Sequence, residues 1–395
     1  MKILIVIYMF PPVTGGGEQG AFELARTLVK MGHEVHVATT HFKGLRRSEV
    51  MDGVRVHRII GNPFLGPHTN PQRSSKLASS MALKYFMIMS MPRLLKLIKR
   101  EEFDVVNAHF ILPAGLPATD AGFFTSTPVV TTLVGGDLYT PGEPPFMTLF
   151  RKLATPFYRF VFSHSTLTAI STDTANRARG FGCKKEIHVT PYGIDPKKFY
   201  KAAPDRRLME KLGLEKKTVL ISVCRLSKRK GLGYLLEALP RVIEKERDLR
   251  LLIVGDGPEK DKLQQLTKRF GLQENVIFVG STPNDELIRY YNLADIFVLP
   301  SLHEGMGIVF LEAMACGLPV VTTKTGGMTD FVVDGKTGLL VEAKNSKQLA
   351  DALIKVVGDR GYRERLSRNV GEMVKGYTWE KSAERYLRAY EEAMG

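Results

Sequence analysis

The chain has 395 residues, 44% of them hydrophobic and 25% charged, with a net charge of +15. That length exceeds one ordinary hydrophobic core and suits two domains of roughly 150–200 residues. The three cysteines, Cys183, Cys224 and Cys316, are odd in number and widely spaced. They exclude a disulfide framework or a paired Cys/His zinc site, and a reducing, cytoplasmic compartment is expected. The positive balance implies an anionic partner and leaves nucleic acid, anionic lipid and phosphorylated substrates open.

Short apolar runs at 3–8, 34–40, 105–108, 129–133 and 168–170 read as buried strands. The first is too short for a signal peptide and leads into prolines and then Gly15, Gly16 and Gly17, which read as a strand followed by a glycine turn. Residues 18–31 read as a helix, with Phe22, Ala25, Leu28 and Val29 on one face and Gly32 as its stop. The uncharged stretch 121–136 is broken by Thr, Ser, Pro and Gly and is not a membrane span. The same rhythm restarts with strands at 218–223, 251–254, 276–279, 296–299 and 320–322, each pair separated by a helical pattern. Strands alternating with helices mean parallel sheets with right-handed crossovers, here two doubly wound ones. Residues 191–213, rich in Lys, Asp, Gly and Pro, hold the boundary. The pattern of residues 379–394 is helical, and it does not show which partner that helix packs on.

In doubly wound sheets ligands sit at the carboxyl ends of the strands, and two such domains facing each other give a central cleft. Three glycine turns occupy such ends: Gly16 with Gly17, Gly255 with Gly257, and Gly326 with Gly327. Each can bring backbone N–H groups to an anion or serve as a flexible turn. The first is not GxGxxG and no acidic residue ends the next strand, which disfavours a nicotinamide or flavin cofactor. Arg225 and Lys230 follow the strand 218–223 and suit a diphosphate, although a solvated basic loop has the same composition. Glu304, Gly305, Met306 and Gly307 precede a helix from Ile308 to Cys316, whose glycine-lined start suits an anion. Glu312 would sit about one turn into that helix, where a carboxylate can accept from a vicinal diol; an apolar helix is otherwise a poor place for Glu.

Taken together, the Gly15–Gly17 loop, the run 104–109, Pro191 to Asp195, Arg225 to Gly231, Gly255 to Pro258, Glu304 to Pro319 and Gly326-Gly327 resemble the retaining glycosyltransferases of the GT-B fold, specifically glycosyltransferase family 4. The resemblance implies an α/β fold of two Rossmann-like domains facing a central cleft. An acceptor-side domain would span 1–198, joined by a final helix at 378–395, and a donor-binding domain would span 199–377. It implies that Arg225 and Lys230 hold the donor diphosphate, that Glu312 binds the ribose hydroxyls and that Glu304 lies near the donor sugar. Gly305, Met306, Gly307 and Ile308 would meet sugar and phosphate, with Gly255 and Gly327 beside them. Gly16 and Gly17 would approach the donor from the first domain. Where many members carry a His after the strand 129–133, this chain has Val134, with Asp137 as the nearby polar group. His109 either reaches the cleft or is a core histidine. Cys224 stands where Gly is usual, and Met306 where Phe is usual.

The implied activity is retaining transfer of a hexose-type sugar from a UDP- or GDP-linked donor to a glycan or lipid-linked hydroxyl. No metal is expected, because two cations can stabilise the leaving group and no Asp-x-Asp motif ends a strand; no other cofactor is expected. A nucleotide-sugar-binding protein without transferase activity, or a GT-B-type epimerase, are the alternatives. No nucleic-acid recognition module is found. Residues 73–100 interleave Arg73, Lys76, Lys84, Arg93, Lys96, Lys99 and Arg100 with apolar residues and no acidic one. That suits peripheral attachment to an anionic membrane, or equally a helix packed on the first sheet with a solvated basic face.

Overall fold

The computed structural model of the chain describes residues 1–12, 15–64, 76–136, 138 and 153–395. It divides into two units, Met1–Tyr192 with Trp379–Gly395, and Gly193–Thr378. The first crossover thus falls at Tyr192 rather than at 198. The hydrogen bonds explain the position. The Ser382 hydroxyl donates to the Pro191 carbonyl at 2.7 Å, holding Pro191 to the first unit. The Ile194 N–H donates to the Tyr377 carbonyl at 2.8 Å, holding Ile194 to the second.

The first unit carries strands β1 (Lys2–Val6), β2 (Glu34–His41), β3 (Ser48–Met51), β4 (Val54–Gly61), β5 (Val105–His109), β6 (Val129–Leu133), β7 (Thr166–Ala169) and β8 (Ile187–Val189). They form one sheet in the order β3-β4-β2-β1-β5-β6-β7-β8. Among the pairings of the described residues in this sheet only β3–β4 is antiparallel. Strands β1, β5 and β6 are almost wholly buried, as expected of a parallel sheet covered on both faces, and so they read as continuous apolar runs. The hairpin β3–β4 was missed because β4 mixes apolar residues with Arg55, His57 and Arg58 and forms no continuous apolar run. Arg58 is nevertheless buried; its guanidinium donates to the carbonyls of Arg46 and Pro11 at 2.9 Å each and pairs with Glu49.

The helix Trp379–Met394 belongs to this unit. Trp379, Ala383, Tyr386 and Tyr390 fall on one face and are buried. Burial of each aromatic contributes roughly 1.5–3 kcal/mol. A polar seam under the helix fixes its register: the Tyr390 hydroxyl donates to Asn107 Oδ1 at 3.0 Å, and Asn107 Nδ2 donates to Thr132 Oγ1 at 2.9 Å.

The second unit carries β9 (Thr218–Val223), β10 (Leu249–Val254), β11 (Val276–Gly280), β12 (Ile296–Leu299), β13 (Val320–Thr323) and β14 (Gly338–Val341), all parallel. Their order is β11-β10-β9-β12-β13-β14. Counted within the unit this is 3-2-1-4-5-6, the doubly wound order whose switch point lies between the first and fourth strands. The chain leaves β9 toward one side and returns to β12 on the other, so the loops after these two strands part and leave a crevice at their carboxyl ends.

Candidate active site

The two loops at that switch point carry the predicted donor residues. After β9, Arg225 is exposed, and the chain then winds into a short 3-10 turn, Lys228–Lys230. This turn carries Lys230 inward until only 9% of it is exposed. After β12, Glu304 is 5% exposed. Lys230 Nζ donates to Glu304 Oε1 at 2.5 Å, and the Ser301 hydroxyl donates to the same oxygen at 3.1 Å. Arg229 Nη1 lies 3.7 Å from Glu304 Oε2. The backbone also ties the loops together, the Leu302 N–H donating to the Arg229 carbonyl at 2.7 Å. Burial would raise the Glu304 carboxyl, but Lys230, Arg229 and the hydrogen bonds from Lys230 and Ser301 outweigh it, and it is held below its ordinary range. Glu304 is therefore ionised at neutral pH, beside the buried Lys230 side chain.

Glu312 behaves in the opposite way. It sits in the helix Ile308–Ala315, 6% exposed, and its Oε2 accepts from the Tyr291 hydroxyl at 2.7 Å. Burial pushes its carboxyl up to about 7, partly offset by the Tyr291 hydrogen bond and by Lys198. The two glutamates of one motif thus differ in acidity although both are buried: at Glu304 the neighbouring cations and hydrogen bonds outweigh burial, whereas at Glu312 the Tyr291 hydrogen bond and Lys198 only partly offset it. Gly305, Met306, Gly307 and Ile308 form the entry to that helix; Met306 is 2% exposed, so its side chain is packed inside. The Gly327 N–H donates to the Glu304 carbonyl at 3.0 Å, which places Gly327 against the same loop. Gly255 has φ +131°, and a Cβ there would lie 2.0 Å from the Cys224 carbonyl oxygen. Packing between adjacent strand-end loops is enough to require this glycine, with no ligand invoked. Burial pushes the Cys224 thiol up to about 12, so it stays protonated.

In the first unit, Gly16 and Gly17 form the first turn of the helix Gly16–Lys30, and the Glu18 carboxylate accepts from the Gly15 N–H at 3.0 Å. A Cβ on Gly17 would meet Phe110 Cζ at 2.9 Å and Val134 Cγ1 at 3.0 Å. Val134 is 8% exposed and packs against the glycine loop. Asp137 lies outside the described residues. Of the two readings of His109, the structure has the core one: it is 0% exposed, its Nε2 is 3.0 Å from Asn107 Oδ1, and its ring stacks on Tyr386. Burial pushes it down to about 3, so it is a neutral core histidine.

Sequence reasoning missed Arg229, Ser301 and Tyr291. Arg229 is one of four cations in six residues, and composition cannot tell which of them turns inward. Tyr291 is 21 positions from Glu312, a separation that carries no periodic signal.

Cations and two buried glutamates thus lie at the switch point of a doubly wound sheet, the place where folds of this class bind their ligands. Comparison with known proteins narrows the class. The family model "Glycosyltransferase Family 4" matches residues 14–198, and "Glycosyl transferases group 1" matches residues 205–373. The chain is 28% identical to the N-acetyl-alpha-D-glucosaminyl L-malate synthase of Bacillus anthracis, over 99% of this chain and 96% of that one. It is 32% identical to the GDP-mannose-dependent monoacylated alpha-(1-6)-phosphatidylinositol monomannoside mannosyltransferase of Corynebacterium glutamicum, over 67% of this chain and 70% of that one. The structure of Anabaena HepE in complex with UDP-glucose superposes with a TM-score of 0.74 at 22% identity, over 98% and 99% of the two chains. The chain belongs to the family 4 glycosyltransferases of the GT-B fold, and it is a glycosyltransferase.

Proposed function

We propose that the enzyme moves a hexose-type sugar, with retention and without a metal, from a UDP- or GDP-linked donor to a hydroxyl of a glycan or lipid-linked acceptor. The observation that carries this reading is the buried Lys230–Glu304 pair with Arg229 beside it at the switch point. In this reading Arg225 and Lys230 hold the diphosphate, and the helix start Gly305–Ile308 adds N–H groups. Glu312 accepts from the ribose diol, and Glu304 lies near the sugar with Gly255 and Gly327 supporting the loops. The bond from the sugar C1 to the diphosphate oxygen breaks as the acceptor oxygen bonds to C1 from the leaving-group face. The acceptor proton passes to a leaving phosphate oxygen. Preorganised cations stabilise the negative charge that develops on the diphosphate, which is the task a divalent metal would otherwise perform.

The UDP-glucose complex of HepE and the GDP-mannose-dependent relative support both bases as candidates, and the relative named for a phosphatidylinositol mannoside supports a lipid-linked acceptor. The helix Lys76–Glu101 adds to that reading. Met81, Leu83 and Ile88 are 42%, 37% and 68% exposed, alongside exposed Lys84, Arg93, Lys96, Lys99 and Arg100. A solvent-facing surface of cations and apolar side chains suits the boundary of an anionic bilayer. Among the described residues no helix is long and apolar enough to cross a membrane, so attachment would be peripheral.

A thermal-shift panel of nucleotide sugars tests the donor: ligand at 100 times its dissociation constant adds about 2.7 kcal/mol of stability. Arg225→Ala or Lys230→Ala should then cut turnover of the selected donor roughly 100-fold. Near-wild-type turnover in both would refute the assignment.

A further inference from the structure

Tyr291 is 0% exposed and lies at the end of the helix Leu287–Tyr291. Its ring is fixed by Phe199, edge-on at 5.9 Å, and by Phe297 at 6.2 Å. Its hydroxyl has two acceptors in reach, Glu312 Oε2 at 2.7 Å and the Val309 carbonyl at 3.4 Å. A phenol donates one hydrogen, and the shorter contact to a carboxylate is the stronger. Glu312 Oε2 is therefore committed, whereas Oε1 has no protein partner among the described residues. A buried carboxylate with one oxygen held and the other unclaimed is an incomplete site. Oε1 is not among the fully buried unpartnered atoms, so it is open to a donor from outside the protein, a ligand hydroxyl or water.

We propose that Tyr291 is a positioning residue for the donor: it clamps Glu312 through Oε2 so that Oε1 is presented to the ribose diol of a nucleoside diphosphate. This rests on the reading of Glu312 given above. The clamp is built from parts far apart in the chain, a phenol locked by two aromatic rings and a carboxylate on a rigid helix, so little rotamer freedom remains to be lost when nucleotide binds. The titratable and charged groups facing Glu312 are Tyr291, Lys198 and, at the end of its own helix, Cys316; Cys224 faces Tyr291 from the residue after β9. The hydroxyl and Lys198 favour the ionised carboxylate, and burial opposes it. Nucleotide affinity should consequently depend on pH through Glu312, and the dependence should report the Tyr291 hydroxyl.

Titration calorimetry with UDP and with GDP between pH 5.5 and 8.5 tests the proposal on the full chain. Wild-type affinity should rise as pH increases through about 7. The 2′,3′-dideoxy nucleotides carry the same ionising phosphates and should lack that component. Tyr291→Phe keeps the ring and should weaken binding about tenfold at neutral pH, the worth of a hydrogen bond to a charged group. It should also move the midpoint to higher pH. Phe199→Leu loosens the ring packing but keeps the hydroxyl, and its midpoint should stay in place. Wild-type affinity and midpoint in Tyr291→Phe, or an equal shift in Phe199→Leu, would overturn the clamp. If Glu312→Gln binds nucleotide as tightly as wild type, the ribose reading of Glu312 itself fails, which is a separate outcome.

Discussion

Glu312→Gln should stabilise the Gly193–Thr378 unit at alkaline pH while weakening its hold on nucleotide. Burial raises this carboxyl from 4.5 to about 7. A raised folded-state value means that the native protein binds the proton more tightly than the unfolded chain between those two pH values. The stabilisation is complete below about 4.5 and is lost as pH rises through about 7. At about 1.4 kcal/mol per pH unit, the ionised carboxylate costs the fold about 3 kcal/mol at pH 8 relative to its protonated form. Glutamine keeps the length and an oxygen for the Tyr291 hydroxyl, and it never ionises. The variant should match wild type near pH 4.5 and exceed it by up to about 3 kcal/mol at pH 8. For a unit of this size that corresponds to roughly 6–12 °C in unfolding midpoint. Scanning calorimetry of both proteins at pH 5 and pH 8 is the assay. A midpoint difference that does not grow with pH would refute the argument, because it would show that Glu312 ionises in the native state as easily as in the unfolded chain. The expected outcome is a residue that costs stability in the service of binding.

The Lys230–Glu304 pair gives a second test. Lys230→Met or Glu304→Met alone strands a buried charge and should cost about 3–5 kcal/mol, whereas the double variant should recover most of that in urea unfolding without regaining transfer. A double variant as unstable as either single one would show that the pair is not the reason for the cost. For the membrane reading, flotation on vesicles containing anionic lipid should recover the protein, and neutral vesicles should not. Lys84→Glu with Lys96→Glu should weaken that recovery, each lost cation being worth about 1 kcal/mol at the surface; lipid-independent behaviour would remove the reading.

Much of the fold was legible because parallel strands are buried on both faces. Runs such as Thr218–Val223 and Ile296–Leu299 announce themselves without reference to their neighbours. The helix Trp379–Met394 was equally legible, but its pattern alone did not place it, since an amphipathic face says that it is covered and not by what; only the family resemblance joined it to the first domain. Strand β4 was lost to Arg58, an ordinary surface residue by type that this chain buries with three partners. Within the site, Glu304, Glu312, Arg225 and Lys230 stand out by residue type beside glycine turns at strand ends. Arg229, Ser301 and Tyr291 owe their position to the crossing of loops distant in sequence, and no local spacing encodes that. His109 shows the converse: a polar residue at a strand end can be read as a cleft residue or a core one, and only the helix that covers it decides.

The return of the helix Trp379–Met394 to the first unit also bears on how the protein is made. The first unit is discontinuous, with all of Gly193–Thr378 inserted between its strands and its last helix. Asn107 and Thr132 emerge from the ribosome long before Tyr386 and Tyr390, which cover them. The inserted unit can complete its own sheet in the meantime, while the earlier one waits with a polar seam and an apolar face uncovered. Assembly therefore closes in the reverse of the usual order, the first-made sheet being finished last. For the same reason an exchange of N-terminal halves between related enzymes would have to carry the final helix along with residues 1–192.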